Sequence, residues 1–193
     1  MDYQEPDIVT ALLERLAEKN PLDVDHARRV AAIVRVWAKH LGLPDQEQTD
    51  LITAALLHDI GKLALPDKLL KKMARLSLDE YELLKRHVEV NGSDLSGIPD
   101  ADRIESYIRH HHENYNGFGY PDGLAGEAIP LGARILHIVE AYDSMRISRS
   151  NRPSLTQAQA VKELRDLSGR LYDPTLVNHF ITHLDEFPEL QKE

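Results

Sequence analysis

Between residues 23 and 41 the apolar positions Ala27, Val30, Ala31, Val34, Trp37, Ala38 and Leu41 recur at helical spacing, and nowhere does the chain show the two-residue alternation of a half-buried strand. A chain with that pattern can bury its apolar stripes only by packing helix on helix. The same spacing predicts helices over 8–18 and 45–57, the latter ending in ITAALL and apolar on nearly every side. Gly42 and Pro44 separate these two helical regions. Ser77-Leu78-Asp79-Glu80 is a capping-box signature for a helix running to about residue 95. Further helices are expected over 100–112, opened by Asp100, over 131–147 and over 156–167. Asp173-Pro174 opens the last one. The expected fold is an all-α single helical bundle, with an N-terminal helical extension at 1–21, a main unit at 22–185 and a tail at 186–193.

Composition narrows the chemistry. The chain has 193 residues and a net charge of −9, so it has no general attraction for a nucleic acid polymer or an anionic membrane. An anionic ligand would need a metal or a local cluster of cations. There is no cysteine, which excludes disulfides, thiolate metal sites and cysteine nucleophiles. Any metal site must come from His, Asp and Glu. The acidic start MDYQEPDIV lacks a signal-peptide apolar segment, and no apolar run approaches the ~18 residues of a membrane helix, so a cytoplasmic protein is expected.

His58 and Asp59 end the most apolar helix, where an ionised acid is costly unless paired or metal-bound. Taken alone, the pair reads equally well as a capping Asp beside a hydrogen-bonded His. His26, His87, His111, His112 and Asp143 also fall beside apolar helical faces. Helices of a bundle can project such side chains into one central site. Seven candidates exceed the three or four ligands of a single zinc and fit two metals, with Asp59 suited to bridge them. Two ions ~3.5–4 Å apart can clamp a phosphate and activate a shared water. After these histidines the loop 113–130 carries Gly117, Gly119, Gly123 and Gly126 with Pro121 and Pro130, a long segment of the kind often used for function.

HDIGK at 58–62, HHENYNGFGYPDG at 111–123 and YDSM at 142–145 together resemble the HD-GYP branch of the HD phosphohydrolase superfamily. The likeness runs from about residue 22 to 182 and includes ALLHDIGKLALPDKLL, GYPDGLAGEAIPLGARIL and LYDPTLV. It implies an HD-type bundle with a central metal site, and hydrolysis of cyclic di-GMP to linear pGpG or GMP by a bridging hydroxide. Carried over by position, His26, His58, Asp59 and Asp143 would hold one metal, while Asp59, His87, His111 and His112 would hold the other. The ions would be Fe or Mn, with Zn or Ni also compatible. Trinuclear members resemble a Glu-x-x-x-His pattern, but Leu22 stands four residues before His26 and cannot ligate; Asp23 is the nearest substitute. Two metals are therefore expected.

For substrate contacts, Lys62 stands one turn past His58 and could meet a phosphate as a point charge and stabilise the reaction's charge. The resemblance implies that Tyr120 contacts the ligand and that Arg149 and Arg152 hold the far phosphate. The segment around the two arginines departs from the family, with Ile147-Ser148 and Ser150-Asn151 in place of the usual residues. Phe118 reads as a packing residue, Glu113 as a group orienting the preceding histidines, and His110 as solvent-facing or an outer partner. The glycine loop also offers a surface for a protein partner. The rivals are hydrolysis of another cyclic dinucleotide such as cyclic GMP-AMP, a cyclic di-GMP sensor without hydrolysis, and a helical interaction domain with structural histidines. Oligomeric state is open at this stage.

Overall fold

The structure is a computed structural model and describes residues 3–72, 74–90, 95–148 and 153–187. It comprises α1 (Asp7–Lys19), α2 (Pro21–His40), α3 (Asp45–Leu57), α4 (Asp67–Leu70), α5 (Leu78–Lys85), α6 (Ala101–His110), α7 (Leu131–Arg146), α8 (Gln157–Asp166) and α9 (Pro174–Thr182). Short 3₁₀ turns lie at Ile60–Ala64, Arg86–Val88, Gly126–Ala128 and Leu184–Glu186. Among the described residues there is no strand, only the isolated bridges Asn116–Ala125 and Ser168–Tyr172. The all-α architecture expected from the periodicity is what the chain adopts. No helix among these residues is long and apolar enough to cross a membrane.

α3 is the axis. Every residue from Asp50 to Leu57 is buried, because α1, α2 and α6 surround it. α7 packs on both α2 and α6 and closes the wall. α1 contributes Val9, Leu12, Leu13 and Leu16 to the same core, so the helix ahead of residue 22 shares the apolar interior of the rest. Asp173 caps α9 through the amides of Thr175 and Leu176 and also accepts from Arg134 at 2.5 Å, tying α9 to α7.

Ser77 forms the expected capping box with Glu80. The helix it opens is shorter than the expected reach to residue 95. It stops at Lys85, tightens into the turn Arg86–Val88, and leaves helical geometry at Glu89. This early stop presses the His87 backbone against Gly61, a tertiary contact that sequence periodicity does not encode. Asp100 does not cap α6 with its side chain. It takes a left-handed conformation at φ +52 and turns its carboxylate to Gln46 Nε2 at 3.0 Å.

Candidate metal centre

Three chain segments deliver imidazoles in the same way. His58 ends α3, His87 lies in the turn after α5, and His111 ends α6. Each donates Nδ1–H to the carbonyl three residues back: His58 to Ala55 at 2.8 Å, His87 to Leu84 at 2.8 Å and His111 to Ile108 at 2.6 Å. A carbonyl only accepts, so the proton sits on Nδ1 and Nε2 keeps its lone pair. All three Nε2 atoms are buried without a hydrogen-bond partner. Unmatched buried acceptors are costly; a cation that takes the lone pairs removes the cost, and pinning the second nitrogen is how ligating histidines are oriented.

The rings adjoin. His111 lies 5.3 Å from His58, 5.6 Å from His87 and 4.1 Å from His112. His26 lies 5.2 Å from His58. Burial pushes the pKa of His58 down, that of His111 well down, and that of His112 down to about 4. These imidazoles are therefore neutral at pH 7 and available as ligands.

Asp59 stands between two of the histidines. One of its oxygens is 3.6 Å from His58 Nε2 and the other 3.7 Å from His87 Nε2. Burial pushes this carboxyl's pKa up, but the Lys62 ammonium at 2.7 Å and the surrounding imidazoles outweigh it and hold the group well below the usual range. Each oxygen faces a different histidine, as a bridging role requires.

Asp143, expected as a ligand, stands one step behind the cluster. Its Oδ2 is 2.6 Å from His26 Nδ1 and accepts from Arg29 Nη2 at 2.9 Å, while Oδ1 accepts from Arg29 Nε at 2.7 Å. The carboxylate that reaches the imidazoles is Glu140, one turn earlier on α7. Glu140 offers an oxygen that, with one nitrogen each from His26 and His58, forms a group within 4.8 Å. Its Oε2 is also 3.8 Å from His111 Nε2. His87, His111 and His112 form the second such group. The exchange has a simple cause: residues three apart share a helix face, and only the seating of α7 decides which of them points inward. The expected contrast is that Glu140→Gln lowers bound metal by well over ~100-fold in affinity, while Asp143→Asn costs the ~10–100-fold of an outer partner. Metal titration of the two variants checks this; equal losses would contradict the assignment.

The HD domain profile matches residues 11–176. This chain belongs to the HD domain family. It is 39% identical over 152 residues to the cyclic di-GMP phosphodiesterase response regulator RpfG of Xanthomonas campestris, a match covering 78% of this chain and 40% of that protein. It is 35% identical over 167 residues to the 3′3′-cGAMP-specific phosphodiesterase 2 of Vibrio cholerae, covering 84% of this chain and 31% of the relative. The solved structure of Bd1817, an HDG"Y"P protein from Bdellovibrio bacteriovorus, matches with a TM-score of 0.61 at 25% identity, over 84% of this chain and 52% of that one. The resemblance read from the sequence is borne out by these relatives. The chain spans less than half the length of the curated relatives it matches. HD phosphodiesterases are a metal-dependent family, and the His and Glu groups of this chain are able to hold an ion.

The glycine loop of the HD domain is fastened back onto its own start and onto the end of α6. Glu113 does not orient the histidines as expected; its Oε1 accepts from the amides of Asp122 at 2.7 Å and Gly123 at 2.9 Å. Asp122 in turn accepts from Arg109 and lies 3.0 Å from His110 Nε2, which gives His110 a loop-holding place. The Arg109 bonds hold the Asp122 carboxyl down to about 2. Gly119 passes so close to the Asn114 amide that an added Cβ would lie 2.1 Å from it. His137, half-buried on α7, lies beside the imidazole cluster with its ring 6.3 Å from that of His112, and burial pushes its pKa down. The loop brings the Tyr120 ring to 5.0 Å from His112, with Lys85 Nζ 5.5 Å from the ring centre. Phe118, expected to pack, is 85% exposed, because the fastened loop carries it outward.

Lys62 lies between two carboxylates, at 2.7 Å from Asp59 and 3.0 Å from Asp23. Asp23 also accepts from Asn20 at 2.9 Å, so it serves Lys62 and Asn20 and stands outside both ligand groups. Leu22 is exposed. Arg149 and Arg152 lie outside the described residues.

The depressed histidines set an expectation for the metal-free protein. Below the ordinary histidine pKa of ~6.5, the unfolded chain binds protons that folded His58, His111 and His112 refuse. Their contribution to stability is full above that pH and is lost as pH falls, for His112 toward about 4. His26 opposes this. Although burial pushes it down, the bond to Asp143 raises it overall, so its contribution is lost as pH rises. Three groups against one predict a net decline on acidification. Urea midpoints of chelator-treated protein should fall from pH 7 to pH 5; a flat profile would show that these imidazoles are not buried in the neutral form.

Proposed function

We propose that this HD domain is a phosphodiesterase that hydrolyses cyclic di-GMP at two divalent metal ions. The observation that carries the reading is the set of three buried, unmatched Nε2 lone pairs beside Asp59. In this reading His26, His58, Asp59 and Glu140 hold one ion, and Asp59, His87, His111 and His112 hold the other. Glu140 takes the place first given to Asp143, and Asp143 with Arg29 orients His26. The nitrogen and oxygen donors suit Fe or Mn, with Zn or Ni next. Bound there, the ions supply Lewis acidity to the phosphate and lower the pKa of water.

The chain's own groups do the rest. Asp59 ties the two ligand groups together. Lys62, already at the edge of the centre, exchanges a carboxylate for the substrate phosphate and stabilises charge as water displaces the 3′ oxygen. Tyr120 bounds the mouth beside His112 and contacts the nucleotide. Arg149 and Arg152 hold the far phosphate. The first product is linear pGpG, and a second cut gives GMP. The proposal takes residues 22–185 as the catalytic unit, places it in the cytoplasm, and offers exposed Phe118 as a contact for a protein partner.

A second reading, hydrolysis of a cyclic GMP-AMP, is favoured by the relative of that printed specificity, whose identity is close to that of the cyclic di-GMP relative. The test is elemental analysis of anaerobically purified protein with hydrolysis of both dinucleotides under Mn2+ or Fe2+. Two equivalents of metal and faster cleavage of cyclic di-GMP support the proposal. Preference for cyclic GMP-AMP moves it to the second reading. Binding without cleavage in a single turnover replaces the enzyme with a sensor.

A further inference from the structure

Far from the buried centre, a second set of imidazoles gathers on the surface. His40 is the last residue of α2, and at ~1.5 Å rise per residue it lies roughly 21 Å along that helix from His26. Facing it, His183 ends α9 and Glu186 closes the following turn. The His40 and His183 rings are 5.0 Å apart, and His40 Nε2 is 3.2 Å from a Glu186 carboxylate oxygen. One nitrogen from each histidine and one Glu186 oxygen all lie within 4.8 Å of one another.

The neighbouring hydrogen bonds decide which nitrogens are available. Trp37 Nε1–H donates to His179 Nδ1 at 2.9 Å, so His179 has spent its acceptor. His183 Nδ1 is 2.9 Å from the His179 carbonyl, which can only accept. His183 therefore carries its proton on Nδ1 and presents a lone pair on Nε2. The His179 ring, stacked on it at 4.2 Å, holds the plane. This repeats the arrangement of His58, His87 and His111, with one nitrogen pinned to a helix carbonyl and the other left to ligate. A plain His40–Glu186 surface pair would need none of the positioning of His183.

We propose that His40, His183 and Glu186 form a separate site for a divalent transition metal, of the two-nitrogen, one-oxygen kind that takes Zn2+, Co2+ or Ni2+ with water completing the shell. Metal bound there staples the C-terminal turn to the end of α2. That turn is already seated by Phe187, which is buried and stacks on Phe180 at 5.2 Å.

The test loads the full chain with Zn2+, removes excess ion by gel filtration and counts equivalents by elemental analysis in the unaltered protein, His183→Ala and Glu186→Gln. Both variants should retain one equivalent fewer. Zn2+ should slow hydrogen exchange of residues 183–187 in the unaltered protein and not in the variants. Glu186→Gln preserves shape, so its loss of an equivalent cannot be put down to misfolding. Equal metal content in all three proteins overturns the site. Because the buried ligands are untouched, the result is independent of the proposed hydrolysis.

Discussion

Asp59→Ala is expected to remove bound metal and hydrolysis together, by more than the ~10–100-fold that follows loss of an outer partner. The reason is that the two oxygens of Asp59 face different histidines, so one substitution strips a ligand from each group. Lys62 then keeps only Asp23 at 3.0 Å. Removing one partner of a buried ion pair costs ~3–5 kcal/mol, and the surviving carboxylate keeps the loss here toward the lower figure. Asp59→Asn separates ligation from packing, since it preserves shape and lacks the charge. Metal analysis and turnover on both variants check the expectation. A variant that keeps both ions and full turnover would remove Asp59 from the mechanism.

Gly61→Ala should be a strongly damaging change despite its small size. A Cβ there would lie 1.9 Å from the His87 carbonyl oxygen and 2.8 Å from its carbonyl carbon. Both are backbone atoms, so no side-chain rotation relieves the clash. Overpacking of this kind costs ~1–3 kcal/mol, and a backbone-to-backbone collision belongs at the upper end. The repair must shift His87, which also weakens the group of His87, His111 and His112. The control is Gly42→Ala, where φ is +66 and no atom lies within 4 Å. It should cost the ~1–2 kcal/mol of left-handed strain and leave metal content unchanged. Urea midpoints and metal content on both proteins decide; if Gly61→Ala is no worse than Gly42→Ala, the close approach is not what holds His87.

The helices were legible because burial imposes a period on the residues that satisfy it. α3 ends where its apolar run does, and Ser77 and Asp173 carry their caps in their local chemistry. The early end of α5 was not legible, since the contact it serves, the His87 backbone against Gly61, joins residues distant in sequence. Glu113 was misread for a related reason. Its neighbours in sequence are histidines, but its partners in space are the amides of Asp122 and Gly123.

The histidines show the same division. Their type, number and placement beside apolar faces, with no cysteine present, determined that any metal here is bound by imidazole and carboxylate, and the motif order determined the family. Which carboxylate of α7 enters the centre was decided by the tertiary structure alone. Glu140 and Asp143 sit three residues apart on one helix face, and only the rotation of α7 against α2 gives Arg29 and His26 Nδ1 to Asp143 and leaves Glu140 facing the lone pairs. A helical repeat names the face that turns inward; the packing of a second helix selects the turn of that face that reaches the ligand.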